Sequence, residues 1–240
     1  MNQLPTEKPP HWILSQRWSQ LLFAHWPISP RLLRPLIPPA LEIDMFAGDA
    51  WVGIVPFYMS KVHINHLPRI PGTGEFCELN VRTYVTYKGR AGVWFFSLDA
   101  SSPLAVFGAR RFFKLPYYTA DMRLVKEQNF IHYHSRRFHP GAAPAFFEGS
   151  YVPTSPPSQS RPGTLEHWLT ERYCLYVSTG RGRVLYRADI QHTPWPLQQA
   201  EADFRTNTMA AAGAIRLPKI SPLLHYAEQI DVQATGIYRV

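Results

Sequence analysis

The chain has 240 residues, 45% hydrophobic and 14% aromatic, which supplies a packed core and excludes disorder throughout. Its formal net charge of +8 raises nucleic-acid binding, but the excess is arginine scattered from Arg17 to Arg239, not gathered on one stripe, so no nucleic-acid partner is expected. The N-terminal MNQLPTEKPP lacks the apolar run of a secretion signal, and no stretch approaches the ~20 apolar residues of a membrane span, so a soluble, cytoplasmic protein with no membrane partner is expected. Cys77 and Cys174 match no metal or redox spacing and sit among apolar neighbours. They read as reduced thiols, with one long-range disulfide left open.

In chain order, Arg17 to Ile28 reads as a first extended segment. Ser29-Pro30 before RLLRPLI gives a capping residue and a proline at the first helical position, so a short helix is expected there. Ala50 to Met59 is apolar on both faces, as a fully buried strand would be. Phe76 to Tyr87, Gly92 to Ala100 and Leu104 to Phe113 read as successive strands. Lys88-Gly89-Arg90 and Ser101-Ser102-Pro103 serve as their hairpin connectors. Phe130 to Phe138, Tyr173 to Ser178, Val184 to His192 and Gln229 to Tyr238 complete the strand set, and Gly180-Arg-Gly182 is a hairpin turn. Thr164 caps a helix over LEHWLTERY, with His167 where a capping box would want Glu or Gln. Leu197 to Asp203 is a third helix candidate. The Pro/Ser-rich stretch 152–163 cannot build a packed element and reads as a surface loop within one domain, 1–240. Consecutive strands with tight turns predict a mainly β fold, an antiparallel meander strongly curled or closed, with few helices outside.

The segment Phe76 to Val85 is the most informative. Side chains alternate along a strand, so Cys77, Leu79, Val81, Thr83 and Val85 share an apolar face, while Glu78, Asn80, Arg82 and Tyr84 share the other. From spacing alone this second face reads equally well as a solvated surface or as the wall of a polar lumen. Arg110 and Arg111 would point to opposite faces of the Leu104 to Phe113 strand. One of them is expected to turn inward, where a buried arginine needs a carboxylate such as Glu78. Glu78 and Arg82 are themselves expected to be buried, each with a charge-assisted hydrogen bond, pairing or bracketing a small ligand. The phenols of Tyr117 and Tyr118 follow at the end of that segment.

Several other constellations carry less. His132-Tyr133-His134 puts two imidazoles on one strand face, but Arg136 shares that face and no third ligand follows, so no metal site is assigned. His63 and His66 fall in a Pro-rich loop. His25-Trp26 and His192-Thr193-Pro194-Trp195 read as aromatic packing around hydrogen-bonded imidazoles. Glu171-Arg172-Tyr173 reads as a lock between helix and sheet. No G-x-S-x-G, Walker or dinucleotide glycine pattern is present, and no cofactor is implied.

The runs FAHWPI, AWVGIVPFYM, ELNVRTYV, GVWFFSLDA, ARRFFKLPYYTADM, LTERYCLY and HTPWPL, in that order between Arg17 and Ala202, resemble the YqjF-like family of bacterial proteins. That family is similar, more distantly, to acetoacetate decarboxylase. The resemblance implies a curled, cone-like antiparallel β-barrel with peripheral helices and an internal pocket. The decarboxylase forms an imine through a lysine after a Phe/Leu-Pro pair and uses a glutamate in a Tyr-X-Glu setting. Phe76-Cys77-Glu78 matches the latter and Leu115-Pro116 the former, but Tyr117 and Tyr118 stand where the lysine pair would be. A phenol forms no imine, and Lys114 falls on the opposite strand face as a surface amine, so Schiff-base chemistry is not carried over.

The expected site therefore has Glu78 and Tyr117 as acid–base groups and Asn80, Arg82, Tyr84, Arg110 and His25 as ligand contacts. Its ligand is a small organic acid or carbonyl compound, in a chain compatible with a homo-oligomer. The alternative is a non-catalytic sensing or interaction module in which the same polar set is structural. An open cavity of roughly several hundred Å³ would favour the first and a filled barrel the second.

Overall fold

The computed structural model describes residues 11–68, 71–180 and 182–240. In chain order the elements are β1 (Trp12–Ile28), a helical turn α1 (Pro30–Leu33) that tightens over Arg34–Leu36, β2 (Glu42–Ile43), β3 (Ala50–Ile64), β4 (Phe76–Tyr87) and β5 (Arg90–Ala100). Helix α2 (Pro103–Gly108) widens into a π-helical turn over Ala109–Phe113 and leads to β6 (Tyr117–Glu127), β7 (Phe130–Arg137) and β8 (Phe146–Pro153). Helix α3 (Leu165–Thr170), β9 (Cys174–Thr179), β10 (Val184–Gln191), β11 (Gln198–Asn207), β12 (Leu223–Thr235) and β13 (Tyr238–Arg239) complete the chain.

The strands make one large sheet in the order β13-β10-β9-β5-β6-β7-β8-β11-β12-β1-β3-β4-β2, and further β4–β5 and β10–β12 pairings curl it back on itself. Nearly all pairings are antiparallel, as the sequence predicts. Because β1 pairs with β12, strands from both sides of the Pro/Ser-rich stretch share one sheet. That stretch starts inside β8, which takes in Val152 and Pro153, and its Ser158 bridges to Leu197.

Curling needs local bends. β1 bends at Gln20, whose φ is +53° and whose register against β3 shifts between Ser19 and Ala24. Such a bulge frees backbone groups. Here Tyr151 Oη donates to the Gln20 carbonyl at 2.7 Å and Tyr226 Oη to its side-chain Oε1 at 2.7 Å. The β4–β5 hairpin closes at Lys88 (φ +49°) and Gly89 (φ +77°), the doubly left-handed turn whose twist matches the strands.

Two sequence expectations are corrected. Leu104 to Phe113 is helical, and Ser101-Ser102-Pro103 is no hairpin. Ser102 Oγ accepts from the Ala105 backbone N–H at 3.2 Å, Pro103 takes the first turn, and Lys114 ends the segment at φ +57°. The cap and proline outweigh the β-forming residues that follow. The helix is also the crossover that a parallel pair requires, so β6 runs parallel to β5 at Leu98↔Tyr117. Leu197 to Asp203 is not helical; Leu197 bridges to Ser158 and the rest belongs to β11, where Gln199, Glu201, Asp203 and Arg205 are exposed in strict alternation. Ala200, Ala202 and Phe204 pack against the core, so period two prevails. Strands β6 and β8 have no counterpart in the sequence reading.

Candidate functional site

β4 is buried without a break from Phe76 to Val85. One face, with Cys77, Leu79, Val81 and Val85, joins the larger core cluster. The other is the polar face, and it too is interior: Glu78 is 3% exposed, Asn80 5%, Arg82 7% and Tyr84 0%.

Register places the neighbours. Across β12, β1, β3, β4 and β5 run Leu223, His25, Gly53, Arg82 and Phe95. One step along run Val55, Asn80, Leu98 and, through the parallel pair, Tyr117. The next row holds Phe57, Glu78 and Ala100. The crossover helix thus brings Tyr117 to Glu78, and its phenol donates to Oε2 of Glu78 at 2.8 Å. Burial pushes the Glu78 carboxyl up to about 8, against the lowering effect of the Tyr117 hydrogen bond, with a smaller upward push from the Asp99 charge. Burial likewise holds the Tyr117 phenol well above its ordinary range, followed by the charge of Glu78 and the bond to it. Tyr133 Oη supports the strand by donating to the Glu78 carbonyl at 2.7 Å.

His25 lies wholly buried with Nε2 at 2.6 Å from Tyr84 Oη. Its reach across two strands depends on Gly53: a Cβ there would lie 3.0 Å from both Cδ2 and Nε2 of the ring and 3.4 Å from Cγ of Arg82. Burial first, then the charges of Arg82 and His225, hold the imidazole well below its ordinary range. The face of Tyr84 is covered by the Arg172 guanidinium, 4.9 Å from the ring centre, which also sits 4.3 Å over Trp168 and bonds Asp44 Oδ2 at 2.5 Å. Glu171 Oε1 accepts from the Trp195 backbone N–H at 3.0 Å, so Glu171 and Arg172 do lock α3 to its surroundings.

Glu78 and Arg82 are not paired. Four residues along one strand separate their Cα atoms by roughly 13 Å, too far for direct contact between these side chains' roots. The expected charge-assisted bond to Arg82 is absent too. Its guanidinium lies 5.1 Å from the Phe23 ring centre and 5.7 Å from that of Tyr84, its Nε has no partner, and no carboxylate pairs with it among the described residues. Asn80 Oδ1, His25 Nδ1, both ring nitrogens of His225 and Nε1 of Trp195 are also buried without a partner among the described residues. Phe23 connects much of this set, stacking on His25 at 5.9 Å and meeting Trp195 edge-on at 4.9 Å.

Arg110 is not brought into this set. The segment that carries it is helical, and both Arg110 and Arg111 are exposed. Arg110 Nη1 donates to the Tyr117 carbonyl at 2.6 Å, so it fixes the start of β6 from outside. Lys114 is exposed, with Nζ 5.6 Å from the Tyr186 ring centre. His132, His134 and Arg136 share the solvent side of β7. The sequence reading missed the buried pair Arg137–Asp99, with Nη2 to Oδ1 at 2.7 Å and Nε to both oxygens at 3.0 Å. The aspartate in GVWFFSLDA, on the face opposite Glu78, was the available signal.

Two clefts lie elsewhere. One of about 790 Å³ runs between the start of β1 and β10, past Arg90, Arg187, Asp189 and Tyr238. The other, about 250 Å³, opens between Phe95, Lys114, Pro116 and Tyr176, where β6 and β9 share one edge of β5. Neither is lined by Glu78, Asn80, Arg82, Tyr84, Tyr117 or His25.

Solved structures share the fold. Acetoacetate decarboxylase of Legionella pneumophila superposes with a TM-score of 0.62 at 15% identity, covering 99% of this chain and 92% of that one. An acetoacetate decarboxylase-like enzyme of Sphingomonas wittichii RW1 gives 0.62 at 12% identity over 96% and 94%. The enduracididine biosynthesis enzyme MppR, in complex with pyruvate, gives 0.61 at 13% identity over 98% and 91%. In sequence, uncharacterized protein YqjF of Bacillus subtilis (strain 168) is 49% identical over 221 residues, 92% of this chain and 90% of that protein. Residues 15–231 match the family described as uncharacterized conserved protein, DUF2071, and the chain belongs to that family.

Proposed function

We propose that the protein binds a small organic acid or carbonyl compound against the polar face of β4 and that Glu78 and Tyr117 exchange a proton with it. The observation that carries this reading is Arg82: a guanidinium 7% exposed, with no carboxylate partner among the described residues. A buried cation left alone costs several kcal/mol, on the order of 3–5, and an anionic ligand would offset that cost. Asn80 and Tyr84 lie on the same face as further hydrogen-bonding groups. Glu78, with its carboxyl raised to about 8, holds its proton at neutral pH and could donate it to a carbonyl or leaving oxygen, with Tyr117 completing the path. A phenol in place of an amine leaves imine chemistry out of this reading. The chain is further read as one domain in the cytoplasm, its Cys77 and Cys174 thiols free.

A second reading is favoured by two observations. Neither cleft is lined by the polar face of β4, where ligand binding calls for an open cavity. The partnerless atoms of Asn80, Arg82 and His25 are closed off from solvent, as in a structural polar network. Ligand binding then requires the interior to open. Thermal shift with pyruvate, acetoacetate and acetone separates the two: the binding reading expects a ligand-dependent rise in Tm that Glu78→Gln reduces and the exposed control Glu127→Gln leaves intact. No rise with any of the three would favour the structural network.

A further inference from the structure

His25 and Arg82 converge from different strands, and each presents a buried polar atom without a partner. The imidazole lies with its Cδ2–Nε2 edge against Gly53. In a planar five-membered ring, Nδ1 is then on the edge facing away from the backbone of β3. Nε2 is committed to Tyr84, so either tautomer leaves Nδ1 needing a partner, as acceptor or as donor. Arg82 Nε is likewise a buried donor without a partner among the described residues, and both side chains lie against the ring of Phe23.

We infer that the ligand's carboxylate is held jointly by Arg82 and Nδ1 of His25, and that His25 carries a proton in the complex that it lacks in the free protein. This rests on the binding reading above and narrows its ligand class to acids. A neutral carbonyl compound has no charge to offer Arg82 and would bind without proton uptake.

The surroundings of His25 account for the coupling. Facing it from β4 are Arg82 and Tyr84, and from β12 His225. Arg172 lies over the ring of Tyr84, already paired with Asp44. His192, which also feels Arg82, has Glu171 near it, and Glu166 acts on His225. Among the described residues no carboxylate acts on His25, so in the free protein burial, then the charges of Arg82 and His225, hold it neutral. An anion beside Arg82 cancels that repulsion and adds attraction. The imidazole then takes a proton from solvent, and Nδ1–H donates to the carboxylate.

The test is calorimetric titration with pyruvate, and with acetone as the neutral control, between pH 5.5 and 7. Each titration is run in two buffers of different ionisation enthalpy. In that range Glu78, at about 8, keeps its proton. The wild-type protein is expected to take up close to one proton per pyruvate, with Kd rising by up to roughly tenfold per pH unit across the linked titration. Uptake should vanish in His25→Gln and persist in His225→Gln and His192→Gln. Gly53→Ala, whose Cβ displaces the imidazole, should weaken pyruvate binding and reduce uptake, which keeps the inference testable if His25→Gln fails to fold. Pyruvate binding with no proton uptake, or uptake that survives in His25→Gln, overturns the inference and leaves the binding reading standing. Binding of acetone but not of pyruvate overturns the inference alone, and binding of neither, with no response to acetoacetate, overturns both.

Discussion

The phenol of Tyr117 donates to Oε2 of Glu78 at 2.8 Å, beside the short parallel stretch where β6 meets β5. The contact depends on the parallel pairing, and the pairing depends on the helix from Pro103 through Phe113. A carboxyl 3% exposed with one neutral donor is better placed to keep a proton than to carry a charge.

That places a pH dependence on stability. The folded carboxyl lies at about 8, above its ordinary 4.5, so between these values the folded state binds the proton and the unfolded state releases it. The Glu78 contribution is fully present below the lower value and lost as pH rises through the upper one. The stability of wild type minus that of Glu78→Gln should therefore fall by up to about 1.4 kcal/mol per pH unit between them and level off above. Urea unfolding of both proteins at pH 5, 6, 7, 8 and 9 measures the difference. A difference independent of pH would place the charge on Glu78 throughout.

Tyr117→Phe removes the group that holds the Glu78 carboxyl down. Its proton should come off at still higher pH, visible as an upward shift in the midpoint of the same stability difference. A cost of about 1 kcal/mol is expected for the lost hydrogen bond. A downward shift would mean that the phenol does not donate to Glu78.

The Arg137–Asp99 pair serves the fold. Both side chains are nearly closed to solvent, at 4% and 0% exposure. Asp99→Asn should cost on the order of 3–5 kcal/mol, because it leaves a buried guanidinium uncompensated. At temperatures where the variant is folded, its pyruvate affinity should match wild type. Loss of affinity in fully folded Asp99→Asn would bring the pair into the site.

Much of this was legible in sequence, and the failures have physical causes. The period-two alternation of Phe76 to Val85 identifies β4 and sorts its faces, while the depth of Glu78 and Arg82 comes only from what packs above them. The run LAVFGARRFF looks β-forming, yet Ser102 and Pro103 dictate a helix by the same cap logic that was applied at Ser29-Pro30, and Arg110 left the site with it. Tyr117 was found through the Leu-Pro pair before it, although β6 itself was not seen. His225 and the Asp99–Arg137 pair were missed because each becomes meaningful only through partners more than thirty residues away. The Glu78–Arg82 pairing is not made because the two side chains turn apart, Glu78 to the Tyr117 phenol and Arg82 to the rings of Phe23 and Tyr84.

Because β1 pairs with β12 along almost its full length, the chain should unfold as one unit. Proteolytic nicking between Ser155 and Ser160 is expected to leave a single cooperative transition with both fragments retained. Two separated transitions would divide the chain at that loop.

On the proposed reading, Arg82 is held in the interior for an anion. Measuring Tm for wild type and Arg82→Met, with and without pyruvate at pH 6, tests it most directly. Arg82→Met is expected to be at least as stable as wild type without ligand, since an unpaired buried charge is removed, and the pyruvate-induced rise should disappear. An Arg82→Met protein that is strongly destabilised yet still stabilised by pyruvate would contradict it.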